Sequence, residues 1–324
     1  MSNLKRVAVL TSGGDAPGMN AAIRAVVRAA LSHGIETMGV MSGYAGLIEG
    51  QFRPLDSWAV SGILQRGGTI LHSARAPSFS FPETQQQAVR HLEKAGIEAL
   101  IVIGGNGSQQ GTLALHRLGF PVVGIASTID NDLAVTEITI GVDTALNTAV
   151  GYIDKLRDTA TSHHRAFLIE VMGRDSGYLA VTTAIATGAE MAVVPELSID
   201  PETIAQDVQA AYARGKTHYI VVVAEGAQVK ARHLTDYLSH HTSAVDARLS
   251  ILGHVQRGGS PTVRDRVLAS QFGAAAVQSL LEGHRGIVIG LAKGQLIEIP
   301  LEAVLAPSEK VTPQLLALAQ ILSH

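Results

Sequence analysis

Short apolar runs, each ended by glycine or a polar turn and followed by a helical pattern, recur along this chain. The first three runs cover residues 7–10, 98–103 and 121–126. An apolar run of four to eight residues bounded by turn signals predicts a buried strand. Strands that alternate with helical patterns predict parallel sheets with helices on their faces. The chain is therefore predicted to be a doubly wound α/β protein, and its 324 residues suggest two domains or one large one.

The same pattern continues in the second half of the chain. Further strands are predicted at residues 166–171, 191–195, 219–224 and 249–253, and a helix is predicted over residues 109–118. Pro201 behind Asp200 indicates the start of a helix, and Gly215 indicates its end.

Composition and charge exclude several classes of function. The chain has no cysteine, which excludes disulfides, thiolate metal sites and cysteine nucleophiles. A formal charge of -3 gives no electrostatic reason to expect nucleic acid or a membrane surface as a partner. No apolar run reaches the length of a bilayer span, and no signal-peptide pattern precedes residues 7–10. A cytoplasmic enzyme is expected.

A polar turn with two acids, residues 128–132 (Thr-Ile-Asp-Asn-Asp), follows the run at 121–126. Open α/β sheets keep their sites at the carboxyl ends of strands. Two carboxylates so close together predict metal binding or general-base chemistry at Asp130 and Asp132. The alternative interpretation is an Asx turn that caps the next element.

Two glycine-rich turns, at residues 11–20 and 104–108, lie between predicted strands and helices. Such turns offer backbone N–H groups to an anion, so Gly13 and Gly14 are candidate phosphate contacts, although a plain strand-to-helix turn is a common alternative. No Walker A motif is present, and Gln110 stands where the dinucleotide fingerprint needs its third glycine.

Basic residues gather at the ends of the later strands: Arg165, Arg174, Arg248, His254 and Arg257. Arginines at strand ends suit bidentate recognition of phosphate, whereas a solvated surface arginine is the more frequent case. Because four arginines have glycines or strand ends beside them, a phosphorylated ligand is predicted.

These segments together resemble the bacterial ATP-dependent 6-phosphofructokinases. The resemblance rests on residues 11–20 (TSGGDAPGMN), 66–69 (RGGT), 73–75 (SAR), 128–132 (TIDND), 172–174 (MGR) and 253–261 (GHVQRGGSP), in this order. It implies transfer of the γ-phosphoryl group of ATP to the 1-hydroxyl of fructose 6-phosphate, with Mg²⁺, in a homotetramer. It also implies two Rossmann-like three-layer domains with mostly parallel sheets: a nucleotide-binding domain of residues 1–141 and 255–305, and a fructose 6-phosphate domain of residues 142–254 and 306–324.

The resemblance also implies a role for individual residues. Asp130 would be the general base, and the other catalytic residues would be Thr128, Asp132, Arg75, Arg174 and Gly14. Nucleotide would be bound by Gly14, Tyr44, Arg75, Gly105, Asn106, Gly107 and Ser108, and the metal by Asn106 and Asp132. The sugar phosphate would contact Thr128, Asp130, Arg165, Met172, Gly173, Arg174, Glu225, Arg248, His254 and Arg257, with Arg165 and Arg248 reaching in from a neighbouring subunit.

An effector site is implied as well, at which ADP activates and phosphoenolpyruvate inhibits. Its residues would be Arg24, Arg28, Arg157, Glu190, Arg214 and Lys216. Arg24 and Arg28 are one helical turn apart and so share a face, as an anion site needs and as a solvated face also shows.

Departures from the family pattern cluster on the nucleotide side. Asn106 replaces an aspartate that helps hold Mg²⁺, and Ala126-Ser127 replaces Pro-Gly. Two alternatives therefore remain: a pyrophosphate-dependent phosphofructotransferase, and a weakly active regulatory paralogue. Pyrophosphate-dependent relatives typically carry lysine in place of Ser127 and aspartate in place of Gly107, which favours ATP here.

Overall fold

The computed structural model describes residues 4–242 and 245–323. The chain divides into two compact units. The first unit comprises Met1–Ile129, Leu133–Thr144 and Arg257–Ser308, and the second comprises Asp130–Asp132, Ala145–Gln256 and Glu309–His324.

The strands form one sheet in each unit. They are β1 (Arg6–Thr11), β2 (Glu36–Val40), β3 (Phe52–Leu55), β4 (Ala99–Gly104), β5 (Val122–Ala126), β6 (Arg165–Val171), β7 (Met191–Val193), β8 (Tyr219–Ala224), β9 (Asp246–Ile251), β10 (Ile287–Ala292) and β11 (Gln295–Pro300). The first unit holds a seven-stranded sheet in the order β11-β10-β5-β4-β1-β2-β3, and the second a four-stranded sheet in the order β7-β8-β6-β9. All pairings are parallel except β2 with β3 and β10 with β11.

The helices connect these strands. They are α1 (Met19–Ser32), α2 (Gly43–Glu49), α3 (Pro82–Lys94), α4 (Asn106–Arg117), α5 (Val142–His163), α6 (Tyr178–Thr187), α7 (Pro201–Ala213), α8 (Ala231–His241), α9 (Val263–Leu281), α10 (Leu301–Val304) and α11 (Pro313–Leu322). None of the helices described is both long enough and apolar enough to cross a membrane. Short 3₁₀ helices cover Pro77–Ser80 and Gly253–Arg257.

Each unit has its own core because its central strands are covered on both faces. Every residue of β4 is buried, and so is every residue of β8. Around β8, one cluster combines Leu168 and Val221 from the sheet with Ile204 and Val208 from α7. Continuous apolar runs of this kind are typical of parallel strands buried on both faces.

Three neighbouring strands of the first unit bring the predicted turns together. In the order β5-β4-β1, Thr11 lies opposite Ile103, and Gly104 lies opposite Ala126. The turn after β1 and the turn before α4 therefore leave the same edge of the sheet side by side. The strands that follow β1 along the chain, β2 and β3, lie on one side of it, and the later strands β4 and β5 lie on the other. The strand order therefore reverses at β1, and open α/β sheets bind ligands at such a switch point.

The predicted α/β class with mainly parallel sheets is confirmed, and so are the start of α7 at Pro201 and its end before Gly215. Two details differ. The strand predicted at 249–253 runs from Asp246 to Ile251 and is followed by a 3₁₀ turn. The division into units places residues 142–144 and 306–308 in the first unit and residues 130–132, 255 and 256 in the second, where the predicted domains have them the other way round.

Candidate active site

The turn after β1 presents two glycines beside an arginine. Gly13 has a φ of 83°, a left-handed conformation that glycine adopts without strain. A methyl group on Gly14 would lie 2.7 Å from Nη1 of Arg257 and 2.9 Å from its Cζ. The guanidinium has neither a hydrogen bond nor an ion pair with any residue that the structure describes, so it faces this turn as an unpaired cation. A cation and backbone amides at one turn suit a phosphate.

The first turn of α4 lies next to the glycine turn after β1 and holds an unpartnered hydroxyl. Ser108 is buried, and its Oγ has no hydrogen-bond partner in the described parts of the chain. The same Oγ would lie 3.2 Å from a methyl group on Gly13. A buried hydroxyl without a partner is costly unless a ligand completes it. Ser108 thus places a hydroxyl donor between the two turns, an arrangement that suits an anion.

Tyr44 does not offer its hydroxyl to solvent. Its Oη donates to the Ser108 carbonyl at 2.7 Å and lies 3.2 Å from Oγ1 of Thr112, and its ring stacks on Phe79 at 4.2 Å. Burial raises the pKa of Tyr44 well above its ordinary value. Tyr44 therefore supports the first turn of α4 through its hydrogen bond to Ser108.

Arg75 lies on a loop that is tied to the phosphate turn. Oγ of Ser73, two residues earlier, donates to the Gly13 carbonyl at 2.7 Å. The Arg75 side chain is exposed. The loop thus anchors an exposed cation two residues from its contact with the Gly13 carbonyl.

Asp130 is the most buried carboxylate of the predicted site. Its side chain is 4% exposed, and Nε of Arg174 lies 3.2 Å from its Oδ2. Arg174 itself is 54% exposed, so solvent reaches the guanidinium. A buried carboxylate beside a solvent-facing cation is placed to accept a proton from a substrate bound at this surface.

Asp132 has the character of a cation ligand. Its Oδ1 is buried and accepts no hydrogen bond from the described residues. Burial raises the pKa of this carboxyl, while Arg174 and Lys310 oppose the shift. An oxygen without a partner fits Mg²⁺, which prefers carboxylate and carbonyl oxygens. Asn106 fits less well, because its Oδ1 already accepts a hydrogen bond from Nε2 of Gln110 at 2.9 Å.

The loop after β6 carries the Met172-Gly173-Arg174 segment and is fixed from two sides. Met172 is buried, and its amide donates to Oε1 of Gln256 at 2.8 Å. Oε1 of Glu225 accepts hydrogen bonds from the amides of Gly173 and Arg174.

His254 lies in the 3₁₀ turn Gly253–Arg257 and is exposed. Thr128 lies beside Gly105, at which a methyl group would be 3.1 Å from the Thr128 Cβ.

Arg165 and Arg248 meet on neighbouring strands of the second unit. Arg165 Nε binds Oδ2 of Asp246 at 2.7 Å, and Arg248 Nη2 binds its Oδ1 at 2.9 Å. The hydrogen bond from Arg165 is the main cause of a lowered pKa of Asp246. Two guanidinium groups share one carboxylate, which leaves a net positive charge for an anion.

Some of the predicted effector residues also come together. Lys216 Nζ donates to Oε1 of the buried Glu190 at 3.1 Å, and His218 Nε2 lies 4.0 Å from the same oxygen. Arg157 Nη1 lies 3.2 Å from His218 Nε2. Of the other predicted effector residues, Arg214 is exposed next to Gly215, and Arg24 and Arg28 lie on α1 of the first unit.

Sequence reasoning missed three residues that support these sites. Asp246 joins two arginines, His218 joins the Glu190 cluster, and Gln256 holds the Met172 amide. Each lies within two residues of a predicted site residue, and Gln256 also lies inside the segment 253–261 that carries the resemblance.

Comparison with known proteins agrees with these observations. A family model described as phosphofructokinase matches residues 6–280. The ATP-dependent 6-phosphofructokinase of Lysinibacillus sphaericus is 50% identical over 320 residues, which cover 99% of this chain and 100% of that protein.

Solved structures share the fold. The phosphofructokinase from Saccharomyces cerevisiae superposes with a TM-score of 0.89 at 34% identity, over 98% of this chain but only 48% of the yeast chain. A pyrophosphate-dependent phosphofructokinase from Marinobacter aquaeolei has a TM-score of 0.85 at 20% identity, over 98% of this chain and 91% of that chain, a likeness that shows the fold alone. On the family match and the full-length relative, the chain belongs to the phosphofructokinase family.

Proposed function

We propose that this chain is an ATP-dependent 6-phosphofructokinase, which converts fructose 6-phosphate and ATP into fructose 1,6-bisphosphate and ADP. The observation that carries the proposal is the 50% identity, over its whole length, with the ATP-dependent 6-phosphofructokinase of Lysinibacillus sphaericus. We also propose that this reaction is the committed step of glycolysis, that it takes place in the cytoplasm, and that ADP activates the enzyme while phosphoenolpyruvate inhibits it.

Asp130 acts as the general base. Its carboxylate takes the proton of the sugar 1-hydroxyl while that oxygen forms a bond to the γ-phosphorus of ATP. The bond between the γ-phosphorus and the oxygen bridging to the β-phosphate breaks, and ADP leaves. The 3.2 Å contact with Arg174 supports this role, because a cation beside the carboxylate favours its charged, proton-accepting form.

The donor phosphates bind at the paired turns of the first unit. The amide of Gly14, the turn Gly105-Asn106-Gly107 and the hydroxyl of Ser108 hold them, and Arg75 neutralises charge on the moving group together with Arg174. The unpartnered Oγ of Ser108 supports this assignment. Phosphoryl transfer depends mainly on such positioning and charge stabilisation.

Asp132 and, more weakly, Asn106 would hold Mg²⁺ on the donor side. The ion would neutralise phosphate charge there. The buried Oδ1 of Asp132 supports this choice of ligand.

The sugar binds at the second unit and to Arg257. Arg165 and Arg248 hold its 6-phosphate, reaching into the site of an adjacent subunit of a homotetramer, and their shared Asp246 keeps both guanidinium groups in place. Met172, Gly173, Glu225 and His254 complete the pocket around the sugar, with Thr128 beside Asp130.

A coupled assay that offers ATP, GTP and pyrophosphate in turn tests the proposal. ATP should support the fastest turnover with fructose 6-phosphate. Asp130→Ser should lower kcat about a hundredfold or more, with little change in sugar affinity, because a positioned base contributes about 10²–10⁴-fold. Faster turnover with pyrophosphate would overturn the choice of donor, and near-normal turnover by Asp130→Ser would remove Asp130 from the mechanism.

A further inference from the structure

The turn that carries Arg174 has an unfavourable backbone conformation. Arg174 has a φ of 51°, in the left-handed region that residues with a Cβ rarely adopt, and Gly173 before it has a φ of 143°. This conformation directs Nε of Arg174 to Oδ2 of Asp130, 3.2 Å away. Unfavourable backbone conformations persist only where the surroundings impose them. Some neighbouring group must therefore hold this turn.

Glu225 contacts the turn from the amide side. It follows Ala224, the last residue of β8, and its amide donates to the Val171 carbonyl at the end of the neighbouring β6. Its Oε1 accepts a hydrogen bond from the Gly173 amide at 3.2 Å and another from the Arg174 amide at 2.8 Å. Successive amides that converge on one anionic oxygen form a compact and specific arrangement.

Gly226 contacts the turn from the carbonyl side. A methyl group at this position would lie 1.8 Å from the carbonyl oxygen of Arg174 and 3.3 Å from Cα of Asp175. The peptide that follows Arg174 therefore packs directly on the backbone of residue 226. Two consecutive residues at the end of β8 thus fix both peptide groups of Arg174.

We propose that Glu225 is a positioning residue for phosphoryl transfer, which acts by fixing the backbone of Arg174 and so the guanidinium beside Asp130. This inference rests on the proposed function. The family resemblance implies a different role, in which Glu225 accepts hydrogen bonds from sugar hydroxyls. In the role proposed here, loss of Glu225 lowers kcat mainly and affects sugar affinity only secondarily.

Two substitutions separate these roles. Glu225→Ala removes the acceptor of both amides and should lower kcat about a hundredfold, the loss expected for a misplacement of about 1 Å, while KM for fructose 6-phosphate stays within about threefold. Glu225→Gln keeps an oxygen in the same place and should retain kcat within about fivefold.

Glu196→Ala is the matched control. Glu196 also uses its carboxylate to accept a backbone amide of this loop, that of Gly177, at 2.9 and 3.2 Å. No hydrogen bond or ion pair joins it to Arg174 among the described residues. Its loss should leave kcat within about threefold of the wild type.

Amide hydrogen exchange tests whether Glu225 fixes the backbone of Arg174, and this measurement needs no substrate. Exchange at Gly173 and Arg174 should rise at least about tenfold in Glu225→Ala, and should stay near wild type in Glu225→Gln and Glu196→Ala. Because this measurement needs no turnover, it remains decisive if the wild type fails to phosphorylate fructose 6-phosphate, a result that would refute the proposed function alone. Unchanged exchange, a rise in KM without a loss of kcat, or an equal loss in Glu196→Ala would overturn the role of Glu225.

Discussion

Replacing Gly14 by alanine tests whether the phosphate turn and Arg257 work together. Gly14 has no positive φ, so alanine does not strain the backbone there. The new methyl group, however, would lie 2.7 Å from Nη1, 2.9 Å from Cζ and 3.3 Å from Nη2 of Arg257. All three atoms belong to the end of a flexible side chain. The guanidinium should therefore move, and the fold should survive.

The sizes of the two effects differ. Favourable contact distances begin near 3.5 Å, so the guanidinium must shift by about 1 Å. This shift should cost less than about 1 kcal/mol of stability, within the usual range for a change that creates no cavity and buries no charge. A misplacement of about 1 Å at a catalytic group can cost about a hundredfold in rate. Because Arg257 is assigned to the sugar, we expect kcat/KM for fructose 6-phosphate to fall about 10–100-fold, which corresponds to about 1.4–2.7 kcal/mol of transition-state stabilisation.

Steady-state kinetics and thermal unfolding measure both effects on one preparation. Gly151→Ala is the control, because Gly151 lies within α5, has no atom within 4 Å of the added methyl group, and belongs to no predicted site. That variant should be more stable than the wild type by about 0.8–1 kcal/mol and equally active.

A double-mutant cycle identifies the cause. In an Arg257→Ala background, Gly14→Ala should lower kcat/KM by less than about threefold further, because the displaced group is already missing. Turnover of Gly14→Ala within twofold of the wild type, or fully additive losses in the cycle, would refute the argument that the methyl group acts through Arg257.

Three further predictions concern charge. Asp132→Asn should raise the Tm above that of the wild type, because burial raises the pKa of Asp132 and its ionisation costs folding free energy. The gain in Tm should grow from about pH 4 upward and level off above the folded-state pKa of Asp132. A gain in Tm that shrinks as the pH rises would contradict this. Added Mg²⁺ should stabilise the wild type more than Asp132→Asn in the same thermal scans, and an equal shift would remove Asp132 from the metal site. Asn106→Asp should stabilise the N-terminus of α4 by about 0.3–1 kcal/mol and lower the Mg²⁺ concentration for half-maximal rate, and superimposable titrations would show that residue 106 does not address the metal.

The turns of the donor site could be predicted because glycine and small polar residues give strong local signals. Residues 11–18 stand between β1 and α1 as predicted, whereas α4 already begins at Asn106, so only Gly105 separates it from β4. The parallel pairing of β1 with β4 then places the turns together without further information. The raised pKa of Asp132 could not be predicted from the sequence, because it depends on how deeply the folded chain buries this carboxyl.

The edge strands and their pairing were harder to predict from the sequence. β9 is at the edge of its sheet and alternates exposed Asp246 and Arg248 with buried Ala247. No continuous apolar run marks its start, so the predicted strand begins three residues too late. The antiparallel edge strands β3 and β11 also lack such a run. Since the meeting of Arg165 and Arg248 depends on β9 lying beside β6, their shared bond to Asp246 could not be foreseen.

The place of β10 in the first sheet has a consequence for the order of folding. β10 pairs with β5 through Ile287 and Val123, 164 positions apart in the sequence, whereas the four strands of the second sheet lie between residues 165 and 251. Closing a loop of that length costs about 4–5 kcal/mol of chain entropy, and non-local pairing slows folding. During synthesis the second sheet can assemble while β5 still lacks its neighbour β10. The exposed side of β5 is then open to pairing with other chains until residues 287–292 leave the ribosome.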